Sequence, residues 1–216
     1  MVPSIKSAKT ASPLLPDRFT ADGTRRRLLE VALMQFAELG YHGVSVRDIA
    51  AGVGIKASSI YAHLQSKQQL LFELSLLGHL EHHDHLQRAL LESGSDPRDQ
   101  AEHLVAAHVR VHATYPLLSR VCNRELAALE PDNRSQVEAV RNHSGQMVLD
   151  VVRRGSELGV FTIPDPWLAT TAIGAMGMRV AEWWNDDLGY RIDDVAATYA
   201  IFALRMLIDG QAAETG

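Results

Sequence analysis

Apolar residues along the chain recur at three- and four-residue spacing, and no stretch holds the two-residue alternation of a strand. Leu28, Ala32, Phe36 and Leu39 mark one face of a first helix, starting near Asp22 or Gly23 and ending at Gly40. Ser45 to Leu64 then reads as helix, glycine turn, helix. Ser45 caps the first of these with Asp48 three residues on, while Val46, Ile49, Ala50 and Val53 fall inward. Ala50 is small where two helices cross, Gly54 can take the positive φ of a tight turn, and Ile60 fills the angle between the helices. A capping box at Ser66-Lys67-Gln68-Gln69 opens a long helix to about Ser93. Further starts are read at Asp96-Pro97, Pro116, Pro131-Asp132, Asp165-Pro166 and Asp193, with stops at Tyr115, near Leu129, at Gly159, after Trp184 and at Gly210. The expected fold is all-α, with about nine helices.

The exposed positions of the second motif helix, Ala57, Ser58, Ser59, Tyr61, Ala62 and His63, are small or hydrogen-bonding, as a face entering a DNA major groove requires. Spacing alone also allows an ordinary helix pair. Charge separates the two options further. Residues 1–67 hold nine Lys and Arg against five Asp and Glu, whereas the remainder holds twelve against twenty-one, within a net charge of -5. A basic N-terminal third on an acidic body gives one phosphate-seeking face. Lys67, in a first helical turn beside open amides, can grip a phosphate. Arg25, Arg26 and Arg27 oppose the dipole of the first helix, a cost that a phosphate or solvent relieves.

The division read from these patterns is an unfolded arm at 1–21, a three-helix helix-turn-helix unit at 22–67, and a helical remainder at 68–216. No run reaches the ~18 apolar residues of a membrane span, and the Pro-rich start has no signal-peptide core. The single Cys122 fits a reducing compartment, and a cytoplasmic protein is expected. Enzyme signatures are missing: there is no glycine-rich phosphate loop, no His-Glu-x-x-His and no nucleophile elbow. No cofactor and no metal are expected. An alternative is a metal sensor using His79 and His83, four apart in the run that also holds His82 and His85. A helical interaction protein that binds no DNA is another.

From Thr24 to Leu71 the chain resembles the TetR family of bacterial transcriptional regulators. The resemblance is carried by Leu29-x2-Ala32-x3-Phe36-Ala37-Glu38-x-Gly40-Tyr41, by Val46-Arg47-Asp48-Ile49-Ala50, and by Ser59-Ile60-Tyr61-x-His63-Leu64-x-Ser66-Lys67-x2-Leu70-Leu71. Lys56 and Ser58 depart from the usual pattern, so no operator sequence transfers. The resemblance implies a homodimeric repressor that binds a double-stranded operator and releases it on binding a small effector. By position it implies that Ser45 and Arg47 lie along the DNA backbone, that Ala57, Ser58, Ser59 and Ala62 face bases, and that Tyr61, His63 and Lys67 hold phosphates, with Lys56 also among the DNA-binding residues. Arg179-Val180-Ala181-Glu182-Trp183-Trp184 resembles the end of a branch responding to acyl-coenzyme A thioesters.

The same resemblance implies dimerisation through the last two helices. Ala196, Ala200, Ala203 and Leu207 form a small-residue stripe on one, with Ala175 and Met178 beside Gly174 and Gly177 on the other. Packing within one chain is the competing use of that stripe. The middle helices are then left to enclose a hydrophobic effector, with His108, His112, Arg120, Asn123, Arg124 and Glu125 as polar candidates and Trp183 and Trp184 as apolar wall.

Overall fold

The computed structural model describes residues 12–17, 23–56, 60 and 64–210. Among them eight α-helices and no strand occur: α1 Gly23–Leu39, α2 Val46–Val53, α3 Lys67–Glu92, α4 Pro97–Thr114, α5 Pro116–Arg124, α6 Pro131–Glu157, α7 Pro166–Trp183 and α8 Ile192–Asp209. Short 3-10 turns occupy Leu126–Ala128 and Asp186–Leu188. Of the expected ninth helix only Ile60 is described, and Ala57, Ser58, Ser59, Tyr61, Ala62 and His63 lie outside the described residues.

Local chemistry sets the boundaries. The Ser45 hydroxyl accepts from the Asp48 amide while the Asp48 carboxylate accepts from the Ser45 amide at 2.8 Å, closing the capping box of α2. Gly54 ends that helix at φ 79°, its amide donating to the carbonyls of Ala50 and Ala51, a conformation that favours glycine. Ser66 caps α3, but Gln69 reaches back to the Gln65 amide instead of completing the box on Ser66. Asp96 and Asp165 each cap a helix that opens on proline. Asp193 is not the cap of α8: Arg191 is, and the Asp193 carboxylate accepts from Arg110 of α4 at 2.8 Å.

The buried side chains form two cores. The first joins α1, α2, Ile60, Leu64 and the start of α3 to Leu118, Val121 and Cys122 of α5, then to Leu126 and Leu129. Leu15 is fully buried in it, which corrects the reading of 1–21 as wholly unfolded. The second core joins the end of α3 to α4, α6, α7 and α8. Helix α8 packs along α4, with Ala196, Ala200, Ala203 and Leu207 no more than 1% exposed. The expectation that these four meet a second copy is therefore corrected. Small side chains let α8 lie close against α4 of its own chain, leaving them no surface to offer a partner.

Candidate functional site

At the N-terminal end, Ser45, Arg47 and Lys56 are exposed. The Ser45 hydroxyl is also engaged with Asp48 in the cap. Lys67 behaves differently from the phosphate grip expected of it. Its Nζ donates to the carbonyls of Tyr41 and Val44 at 2.8 and 2.6 Å and lies 4.0 Å from the Tyr41 ring centroid. Burial lowers its pKa, and the ammonium closes the loop between α1 and α2 from inside. The arginines at the start of α1 are likewise tied within the chain. Arg25 pairs with Glu73 of α3, and Arg26 with Glu30 at 2.9 Å. Arg27 is exposed and shares a surface hollow with Val53 and Ile55.

Between the two cores lies a cavity of about 540 Å³, walled by α3, α4, α5, α6 and α7. His79 and His82 come from α3, His108 and His112 from α4, and Ser119, Cys122 and Asn123 from α5. Helix α6 brings Arg141, Asn142 and Gln146, and α7 brings Trp167, Thr170, Thr171, Ala175 and Met178. A second pouch of about 100 Å³ shares His82, His108 and Gly174 and is lined by Leu86, Leu104, Val148 and Ile173. A chamber of mixed polar and apolar lining thus adjoins an apolar recess.

The histidines are held by a defined set of hydrogen bonds. His108 donates its Nε2 proton to the Gly174 carbonyl at 3.0 Å, so its Nδ1 is an acceptor, and His82 Nε2 donates to that atom at 2.7 Å. His112 donates its Nδ1 proton to the His108 carbonyl at 2.8 Å, which leaves its Nε2 lone pair free of that bond. Burial lowers the pKa of all four rings: to about 4 for His79, with Arg141 adding to the effect, and to about 3 for His112, with His108 adding. For His108 burial is again the main cause, and for His82 burial is followed by the neighbouring rings. The cluster is therefore neutral at pH 7. Burial pushes the Cys122 thiol up to about 12.

Two family models match this chain. The model for bacterial regulatory proteins of the tetR family covers residues 28–74, and the model for the tetracyclin repressor-like C-terminal domain covers residues 94–207. The chain belongs to the TetR family. Its TetR relatives include the HTH-type transcriptional repressor KstR2 of Mycobacterium tuberculosis, 32% identical over 148 residues, covering 67% of this chain and 74% of that protein. A solved TetR-family regulatory protein from Rhodococcus RHA1 superposes with a TM-score of 0.76 at 28% identity, over 89% of this chain and all of that one. The structure of AibR in complex with isovaleryl coenzyme A and operator DNA shares the fold, with a TM-score of 0.73 at 20% identity over 87% and 99% of the two chains.

Within this TetR chain the expected effector residues divide. His108, His112 and Asn123 line the cavity. Arg120, Arg124, Glu125, Trp183 and Trp184 are not among its lining residues, which corrects their placement. Arg124 is exposed and pairs with Glu182. The Glu125 carboxylate lies beside Gly40, at the end of α1. Trp184 is buried in the second core, and Trp183 stacks on Tyr199 with centroids 6.5 Å apart. Of the expected dimer residues on α7, Ala175 is exposed and Met178 half-buried, and both border the cavity. The His79 and His83 pair does not share one site either: His79 faces the cavity, while His83 Nδ1 lies 3.3 Å from the Ser144 hydroxyl and its ring packs on His143.

Sequence reasoning missed Arg141, Gln146 and Thr170, and gave His82 no effector role. His82 lies three residues from His79, so the one-sided face of α3 was visible. What that face meets on α4 was not.

Proposed function

We propose that this TetR-family regulator is a homodimeric repressor that holds a double-stranded operator in the absence of its effector and releases it when the cavity is filled. It acts by binding, in the cytoplasm, with no reaction catalysed. The observation that carries the reading is the position of α5. One side of this helix lines the cavity through Ser119 and Asn123, and the other side places Leu118 and Val121 in the core that holds α1 and α2. A ligand that displaces α5 moves packing shared with the DNA-binding unit, and a packed core responds by shifting rather than compressing. Gln68 reinforces the link: it donates to the Ala128 carbonyl at 2.6 Å and accepts from the Glu130 amide at 3.3 Å.

The effector reading is a small, largely hydrophobic molecule with an anionic or polar head, such as an acyl-coenzyme A thioester. Arg141 and the amides of Asn123, Asn142 and Gln146 suit the head, and the apolar recess suits the chain. The bound ligand of AibR is of this class. Arg47 and Lys56 would meet DNA phosphates, with Ala57, Ser58, Ser59 and Ala62 at the bases and Tyr61 and His63 on the backbone. The second copy would mate on the outer face of α7 and α8, where Leu168, Ile201 and Phe202 are 57%, 48% and 51% exposed.

Fluorescence anisotropy on DNA flanking the protein's own gene tests the reading. Binding should resist competitor DNA, fall steeply with salt and be reversed by acyl-coenzyme A thioesters of matching chain length. Moving occupancy from about 99% to about 1% needs a differential affinity of ~5.5 kcal/mol. Binding no tighter to that DNA than to competitor would overturn the regulator reading, and indifference to every thioester would overturn the effector class.

A further inference from the structure

We propose that His82, His108 and His112 form a binding site for one divalent transition-metal ion of the zinc class, set in the cavity wall with an open coordination position facing the cavity. The three rings offer one nitrogen each, all within 4.8 Å of one another, from two different helices. Their ring centroids are 4.5 to 5.6 Å apart. Tetrahedral zinc with nitrogen ligands at about 2.0–2.1 Å sets neighbouring nitrogens roughly 3.3 Å apart, so small side-chain rotations complete the geometry.

The hydrogen bonds around the rings favour this use over simple packing. In metal sites the outer nitrogen of a ligating histidine donates to a carbonyl or carboxylate, which fixes the tautomer and aims the other lone pair inward. His108 does so with the Gly174 carbonyl and His112 with the His108 carbonyl. His82 needs only to move its proton from Nε2 to Nδ1, so binding changes no net charge on the protein. Gly177 belongs to the same construction: a Cβ there would lie 2.0 Å from His108 Cδ2, so glycine admits the ring. His79 lines the same cavity, and its buried Nε2 has no hydrogen-bond partner among the described residues.

The donor set narrows the ion. Three imidazoles and no carboxylate lining the chamber suit zinc, cobalt, nickel or copper, and disfavour magnesium and calcium, which take oxygen. Three protein ligands with a position left open resemble a site that coordinates a further molecule, in contrast to a closed structural site. A carboxylate or carbonyl oxygen entering the cavity would complete the tetrahedron.

The site is tested on the untagged, chelator-treated full chain by zinc titration calorimetry, a measurement independent of DNA. One ion per chain is expected, with binding reduced to background in His82→Gln and in His112→Gln and retained in a His83→Gln, His85→Gln double variant. Circular dichroism checks the fold of each. Cobalt on the unmodified protein gives a second reading that needs no variant: intense tetrahedral ligand-field bands without a thiolate charge-transfer band. Three results overturn the proposal: no stoichiometric binding to the unmodified chain, binding that follows His83 and His85, or a cobalt spectrum that is octahedral or thiolate-ligated.

Discussion

Gly177 and His108 occupy one space: a Cβ built on the glycine would fall 2.0 Å from Cδ2 and 2.4 Å from Nε2 of the imidazole. Helix α7 therefore comes close enough to α4 for the Gly174 carbonyl to accept from His108. Gly177→Ala should lose stability by about 1–3 kcal/mol through overpacking, outweighing the ~1 kcal/mol that alanine contributes in a helix. Gly174 has nothing within 4 Å of the same construction, so Gly174→Ala should be neutral or gain up to ~1 kcal/mol. Urea midpoints of the two variants compare them directly.

Exposed and internal cations at the DNA-binding end should separate in mutants. Arg47→Ala should leave the melting temperature unchanged and reduce the salt slope of operator binding by about 1. Lys67→Ala should lower stability by about 1–3 kcal/mol, because the carbonyls of Tyr41 and Val44 lose the ammonium that joins them. Paired thermal melts and salt titrations distinguish the two outcomes.

How much of this was legible in the sequence depended on the range of the signal. Ser45 with Asp48, Gly54, and the Asp-Pro starts of α4 and α7 act within a few residues, and the structure places each where local chemistry put it. The alanine stripe of α8 was legible as a contact face but not as a contact with α4, since close packing within and between chains demands the same small residues. Arg120, Arg124 and Trp184 look like pocket residues by type alone; the ion pair to Glu182 and the burial of Trp184 are settled by elements more than fifty residues away or by the second core as a whole. The meeting of His82 with His108 is of the same long-range kind.

Dimerisation should follow the exposed face, not the stripe. Ile201→Arg with Phe202→Arg should give folded monomers in sedimentation, with circular dichroism unchanged and operator binding lost. Ala200→Arg should instead unfold the chain, because residue 200 is 1% exposed and an unpaired guanidinium would enter the second core.

The cap of α2 should weaken in acid. Hydrogen bonds from the Ser45 side chain and backbone hold the Asp48 pKa below its ordinary value. A depressed carboxylate contributes stability that is fully present above the unfolded pKa and lost as pH falls through the folded one. The stability gap between the unmodified protein and Asp48→Asn should narrow as pH drops below the usual aspartate range, measured by denaturant melts at several pH values.

The Cys122 thiol should be unreactive in the native protein. Its Sγ donates to the Leu74 carbonyl at 3.4 Å, and with a pKa of about 12 it holds roughly three orders of magnitude less thiolate at pH 8 than an ordinary cysteine. Ellman's reagent should modify it only at the rate at which α5 separates from α3, and fully in denaturant.

Helix α3 runs without a break from Lys67 to Glu92, giving its first turns to one core, its last turns to the other and, between them, His79 and His82 to the cavity. At 26 residues it is a stiff rod about 39 Å long. The two halves of the molecule are therefore mounted on a common axle, with the ligand chamber near its midpoint. A tilt of a few degrees imposed there would swing both ends in opposite directions by about an ångström, so the release proposed above would need no hinge.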